Sequence, residues 1–306
     1  MTMPVRCCRA TKCEQKDKDG NCSIPGSDGL AVQCVGPWVE DKYHFLESYL
    51  NASRKAREKF SIKGNAVFID LFSGPGKCII EEKQKEIDSG GFRALHREEA
   101  PFNESFLFDF SKINVAALKK RIGQRQDCHV KEGDSNFLIK ELTIELLRKP
   151  YRYHFTYVDP FGPDGLRFDT LAELAKLERM DMLIHFPLGP IRRNVSGWLD
   201  QDNTILDRFL GTNGWKERIN SNQGDNIGKI LIDIFKRQLC SIGYPEEGLK
   251  LASSDESFDP GLPTVSVKNR KNVDLYLLIL AAKHPLAQEI WNSVIQIDRH
   301  GQKRLF

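Results

Sequence analysis

The chain has 306 residues, 40% hydrophobic and 28% charged, with 18 Phe and 4 Trp to fill a core; this composition suits a water-adapted globule and excludes a disordered or fibrous chain. Its 45 Lys and Arg against 42 Asp and Glu leave a formal charge of +3, interspersed along the sequence, so charge alone does not announce nucleic acid. No apolar run precedes Cys7 and none approaches the roughly 20 residues a bilayer requires, which predicts a cytoplasmic protein with reduced thiols and no membrane partner.

Residues 1–36 read as a cysteine-rich extension: Cys7, Cys8, Cys13, Cys22 and Cys34 sit among Lys, Asp and Gly with almost no apolar periodicity. Cys8, Cys13, Cys22 and Cys34 can in principle close one tetrahedral zinc site. No C-x-x-C pair is present, and zinc knuckles almost always use one, so a flexible, reduced head is the favoured alternative.

From residue 37 to 306 the pattern is that of one α/β domain. Trp38, Tyr43, Phe45, Leu46, Tyr49 and Leu50 recur at helical intervals after Gly36-Pro37, predicting an amphipathic helix to about Phe60. Four rounds of apolar run, polar turn and helical stretch follow, which is how βαβ units with a parallel sheet read. The runs are 66–72, 105–108, 128–132 and 153–158, and a fifth at 182–186 follows a helix around 171–177. Helices are expected at 205–210 and 227–238, within a helical insertion of about 200–245. Strands are expected at 264–268 and 274–282, and a last helix at 285–294. The sum is a doubly wound, Rossmann-like fold with a mostly parallel seven-stranded sheet.

After each of the first four runs an acidic residue stands at or just past the last apolar position: Asp70, Asp109, Asp134 and Asp159. In open parallel sheets ligands bind beyond the carboxyl ends of the strands, so these carboxylates are expected to line one crevice. Phe68-Ile69-Asp70-Leu71-Phe72-Ser73-Gly74-Pro75-Gly76 reads as a strand running into a tight glycine turn, where the missing Cβ atoms let backbone approach a ligand. A nicotinamide site fits poorly, because the third glycine of G-x-G-x-x-G is missing and Asp109 lies too far on for the ribose acid expected about 20 residues along. A carboxylate at Asp109, beside Phe110, can accept both hydroxyls of a ribose; Asp134, before Ser135, can meet an amino group or cap a helix.

Tyr157-Val158-Asp159-Pro160-Phe161-Gly162-Pro163 is the second sharp feature. Proline forbids further ladder bonding and biases Asp159 toward an extended conformation, leaving a fixed carboxylate beside an aromatic ring. That pair suits a planar amine, with the carboxylate accepting its hydrogens and Phe161 stacking on its ring.

These segments resemble motifs I and IV of the class I methyltransferases: Asp70-x-Phe72-x-Gly74-Pro75-Gly76 and Asp159-Pro160-Phe161-Gly162. Together with Asp28-Gly29-Leu30, Cys34-Val35-Gly36-Pro37-Trp38, Lys42, His284-Pro285 and Trp291, they look like the three-Cys-motif partner protein family over most of the chain. The resemblance implies a bacterial, methyltransferase-like protein encoded beside a three-Cys-motif protein as its partner. It implies S-adenosylmethionine as cofactor, with S-adenosylhomocysteine as product. The cofactor would be held by Asp70, Phe72, Ser73, Gly74, Pro75, Gly76, Asp109, Phe110, Asp134, Ser135 and Asp159. Asp159, Pro160, Phe161 and Gly162 would form the catalytic motif. Nucleic-acid amino-methylating enzymes carry Asp-Pro-Pro-Tyr there; here Phe161 replaces the second proline and Gly162 the tyrosine.

The expected reaction is N-methylation of a nucleobase or nucleobase-like amine, as a small molecule or within nucleic acid. Trp38, Lys42, His185, Arg192 and Arg193 are substrate-side candidates, with Lys268, Arg270 and Lys271 as further basic residues; core packing and solvated faces compete for each. A module that binds the cofactor or a protein partner without turnover is the alternative.

Overall fold

The computed structural model describes residues 16–81, 83–221, 226–245, 264–268 and 274–303. Cys7, Cys8, Cys13, Arg270 and Lys271 lie outside them. The described strands are β1 (Gln33–Val35), β2 (Ala66–Asp70), β3 (Lys77–Ile80), β4 (Lys85–Asp88), β5 (Glu104–Asp109), β6 (Cys128–Glu132), β7 (Tyr153–Val158), β8 (Met180–Phe186), β9 (Thr264–Lys268) and β10 (Asp274–Ala281). Seven form the main sheet in the order β6-β5-β2-β7-β8-β10-β9. The pairs β2–β5, β5–β6 and β7–β8 are parallel, whereas β10 runs antiparallel to both β8 and β9. Helices connect the parallel strands, as crossovers of this kind require, and the architecture is a methyltransferase-like Rossmann fold.

The chain divides into two compact units, residues 1–135 with 297–306 and residues 136–296. In the first, β2 (Ala-Val-Phe-Ile-Asp) is buried at every position, the signature of a strand covered on both faces. The single helix expected up to Phe60 is two, Val39–Ala52 and Arg54–Ser61. Ser53 separates them, its hydroxyl donating to the Tyr49 carbonyl at 2.7 Å, a local bond that competes with the helical ladder. Arg57 is buried beneath this break and donates to the carbonyls of Leu50 and Ala100.

A second, three-stranded sheet, β1-β3-β4, was not legible in the sequence. It pairs β1 parallel to β3 and β3 antiparallel to β4. Through it, residues 16–35 are folded rather than a flexible head: Cys22, Val32 and Cys34 are buried together against Ile24 and Ile79.

In the second unit, β8 is buried along its whole length. The segment between β8 and β9 carries the helices Leu188–Trp198, Ile205–Leu210, Trp215–Ser221 and Ile227–Ser241. The Ile205–Leu210 helix opens with a capping box between Thr204 and Asp207 and stops at Gly211 in a left-handed conformation. Asp207 also accepts the indole N–H of fully buried Trp215 at 2.7 Å. Phe209 stacks on Phe235 with centroids 5.3 Å apart, and Phe186 meets both rings edge-on. Each such ring, fully buried, contributes about 1.5–3 kcal/mol. Among the described residues no helix is long and apolar enough to cross a membrane.

Candidate functional site

In the first unit the strand-to-glycine turn is built on Asp70. Its carboxylate accepts the Phe72 N–H at 3.0 Å and lies directly against Gly91, where a Cβ would collide with it. Asp70 is almost wholly buried and therefore organises the turn from beneath. Ser73 donates its hydroxyl to the Asp70 carbonyl and its amide to the Phe108 carbonyl on the neighbouring strand. Gly74 and Gly76 take φ values of 61° and 91°, a region costly to residues with a Cβ. The turn therefore stands at the carboxyl end of β2, next to that of β5.

Asp109, the last residue of β5, is tied to this turn. Its Oδ2 accepts the Gly74 N–H at 2.8 Å, and its Oδ1 accepts from the Ser111 N–H at 2.8 Å and from the Asn114 side chain at 3.0 Å. Burial raises its pKa against the lowering effect of these bonds, and Asp19 raises it further. Three of the roughly four acceptor positions of a carboxylate are thus in use. Phe110, beside it, is 78% exposed, an aromatic face open to a planar ring. Asp134 follows Gly133, whose N–H donates to the Asp109 carbonyl at 3.0 Å, so Asp70, Asp109 and Asp134 are gathered at adjacent strand ends. Ser111 begins the helix Lys112–Ile122 but does not cap it with its side chain; its hydroxyl donates to Asp19 at 2.7 Å.

Asp19 belongs to a segment that crosses the turn and that sequence reasoning missed. The Gln33 amide lies 2.9 Å from where a Cβ on Gly74 would stand. Arg121 pins the segment: its guanidinium donates to both oxygens of Asp28, to the Ala31 carbonyl and to the Pro75 carbonyl. Beside Arg121, the Asp28 carboxyl is held down at about 2. Nothing in residues 17–35 marks this contact in advance, because it joins polar residues about 90 positions apart. An S-adenosyl group fits the residues at the strand ends: two glycines without Cβ atoms, a carboxylate at the second strand end, and an exposed aromatic ring next to it.

In the second unit, Asp159 follows β7 immediately. Its Oδ1 lies 2.8 Å from His185 Nδ1, and its Oδ2 accepts from the Tyr157 hydroxyl at 3.2 Å. His185 packs edge-on against Tyr276, with centroids 4.1 Å apart. In the sequence Tyr157 stands out only as the start of the segment that carries Asp159, and Tyr276 only as part of an apolar run; Tyr157 lies two residues before Asp159, on the same strand face. Pro160 and Gly162 are buried, and Phe161 between them is 67% exposed. Arg192 donates to the Asn226 side chain at 3.1 Å. Arg193 lies on the same helix, Leu188–Trp198, and Lys268 stands 4.0 Å from Asp274.

Trp38 is 38% exposed, its ring lying over Gly36, and Lys42 sits 5.5 Å from the centre of the Tyr43 ring. Cys22 and Cys34 are buried free thiols, and Cys34 donates to Glu81. No group of three metal-binding side chains occurs among the described residues.

The chain matches no protein-family profile and no curated protein sequence. Among solved structures it is similar to an O-methyltransferase from Bacillus cereus in complex with S-adenosylhomocysteine, at 10% identity and TM-score 0.36, over 78% of this chain and 90% of that one. It is also similar to a SAM-dependent methyltransferase from Anabaena variabilis, at 11% identity and TM-score 0.29, over 80% and 93%. A third is protein arginine methyltransferase 10 of Arabidopsis thaliana, at 13% identity and TM-score 0.27, over 78% and 74%. At these scores the likeness carries no argument about activity, and the fold rests on strand order and direction: a methyltransferase-like Rossmann sheet with one antiparallel strand next to its end.

Proposed function

We propose that this chain is an S-adenosylmethionine-dependent methyltransferase that N-methylates a nucleobase or nucleobase-like amine, free or in nucleic acid. The observation that carries the reading is the tie between Asp109 and the Gly74 amide, which sets a carboxylate from one strand end against a glycine turn from the next. In this reading the first unit holds the cofactor. Phe72, Ser73, Gly74, Pro75 and Gly76 supply backbone around its amino-acid end, with Asp70 holding that turn from beneath; Asp109 and Phe110 receive the ribose and adenine, and Asp134 and Ser135 complete the site. The sulfonium supplies the methyl group's reactivity when bound.

The protein's own share is positioning and proton handling. Asp159 fixes the acceptor's N–H, and exposed Phe161 flanks its ring; Pro160 and Gly162, both buried, hold that pair in place. Trp38, Lys42, Arg192 and Arg193 are the acceptor-side residues proposed to contact a base or its phosphates. A base within a nucleic acid would have to be flipped out of its stack. The chain organisation proposed with this function is an extension over 1–36 and a methyltransferase-like body over 37–306, with a helical insertion at about 200–245. The resemblance to the three-Cys-motif partner family supports a bacterial, cytoplasmic setting and a three-Cys-motif protein partner.

One observation favours a second reading, a module that binds without turnover: the Gln33 amide lies over Gly74. Incubating the full chain with methyl-labelled S-adenosylmethionine and adenosine, cytidine, guanosine, tRNA and DNA separates the two. Label in any acceptor, lost in Asp159→Ala, supports the enzyme. Cofactor binding with no label in any acceptor supports the module.

A further inference from the structure

The glycine turn after β2 spends its own donors on the protein. The Phe72 N–H goes to the Asp70 carboxylate, the Ser73 N–H to the Phe108 carbonyl and the Gly74 N–H to Asp109, and Pro75 has none to give. The two cations beside the turn are committed as well. Arg121, its side chain 4% exposed, gives its guanidinium hydrogens to Asp28, Ala31 and Pro75. Lys77 stands 2.7 Å from Glu86 and 3.9 Å from Asp28. An anionic group brought to this turn therefore needs a donor from elsewhere, because a charge taken out of water without one is costly.

Gln33 is placed to supply it. Its amide lies across the open face of Gly74, with Nε2 at 2.9 Å and Cδ and Oε1 at 3.0 Å from where a Cβ would stand. Oε1 accepts from the buried Cys78 thiol at 3.9 Å, which leaves Nε2 as the donor end. Among the described residues Nε2 has no hydrogen-bond acceptor, and Gln33 is only half-buried. Its backbone is fixed on both sides, parallel to β3 in the register Gln33↔Cys78 and antiparallel to Asn21, and its chain neighbours Val32 and Cys34 are buried. A residue so pinned is a fixed wall of the turn rather than a gate, and a donor held in place beforehand costs little ordering when a ligand arrives.

We propose that Gln33 is a cofactor-binding residue, its Nε2 donating to the carboxylate at the amino-acid end of S-adenosylmethionine. This assignment rests on the reading of the glycine turn as the cofactor site, and it adds a contact from the small sheet to a turn carried by the large one. It holds whether the bound cofactor is turned over or only retained.

The test is calorimetric, on the full chain as wild type, Gln33→Ala and Gln33→Glu. Each is titrated with S-adenosylmethionine and with its decarboxylated analogue, which keeps the adenosyl group, the sulfonium and the ammonium but lacks the carboxylate. The wild type is expected to prefer S-adenosylmethionine by about tenfold or more, the worth of a hydrogen bond to a charged group. Gln33→Ala is expected to bind the analogue as wild type does and to lose most of that preference. Gln33→Glu, of the same shape, is expected to lose more, because it sets a carboxylate against a carboxylate. Wild-type binding without a preference, a preference that both variants keep, or equal loss of the two ligands in the variants overturns the proposal. Should thermal unfolding show that Gln33→Ala does not fold, Gln33→Glu decides alone. A wild type that binds neither ligand is a separate result, and it removes the cofactor reading itself.

Discussion

The Gly74 N–H donates to Oδ2 of Asp109 at 2.8 Å, so the glycine turn after β2 and the carboxylate ending β5 form one structural unit. Asp109→Asn keeps the shape and removes the charge. It is expected to weaken S-adenosylhomocysteine binding tenfold or more, about 1.4 kcal/mol, as read by calorimetry. Because burial raises the Asp109 pKa, the folded state holds this proton to higher pH than the unfolded chain does. Stability is therefore lost as pH rises from the unfolded value of 3.8 through the raised one. Urea unfolding of Asp109→Asn should lack that loss.

Gly74→Ala meets two obstacles at once. Its φ of 61° lies in the left-handed region, and the new methyl carbon would stand 2.9 Å from the Gln33 amide. The backbone alone costs about 1–2 kcal/mol. Adding Gln33→Ala should recover the contact part of the loss but not the backbone part, and thermal unfolding of the three variants checks this.

Arg121, its side chain 4% exposed, joins residues 28 and 31 to Pro75. Arg121→Ala leaves the Ala31 and Pro75 carbonyls without this donor and is expected to cost about 1–3 kcal/mol, with faster amide exchange across residues 17–35. The Asp28 pKa, lowered from 3.8 to about 2 chiefly by its hydrogen bonds to Arg121, adds stability that is present above 3.8 and is lost as pH falls through about 2. That acid-range loss should disappear in Arg121→Ala.

His154 is buried in β7. Burial, helped by Arg152, lowers its pKa from 6.5 to about 4. Between those values the unfolded chain takes up a proton that the folded one refuses, so stability falls as pH drops from 6.5 to about 4, by at most about 3 kcal/mol. His154→Leu should abolish that slope without destabilising the protein at pH 7, as followed by urea unfolding across the range.

The main sheet was legible because most of its strands are short β-branched and aromatic runs bounded by Gly, Pro and acidic residues; β6, β7 and β9 have the bounds expected of them. The small sheet was not. β3 (Lys-Cys-Ile-Ile) and β4 (Lys-Glu-Ile-Asp) are four residues each, without a clear polar–apolar alternation, and β1 is three residues long inside a segment whose cysteines point toward metal or disorder. The acidic positions at strand ends could be read one by one, since each follows its own apolar run. Their partners could not: the Asp109–Gly74 and Asp159–His185 pairs depend on which strands are neighbours, and the Gln33 and Arg121 contacts depend on a fold-back of residues 17–35 that no local pattern encodes.

The most direct measurement is a calorimetric titration of the full-length chain with S-adenosylmethionine, repeated with Asp109→Ala. The account expects one molecule bound per chain and a loss of at least tenfold in affinity in the variant. Heat indistinguishable from dilution in the wild type, or binding that Asp109→Ala leaves intact, would contradict it.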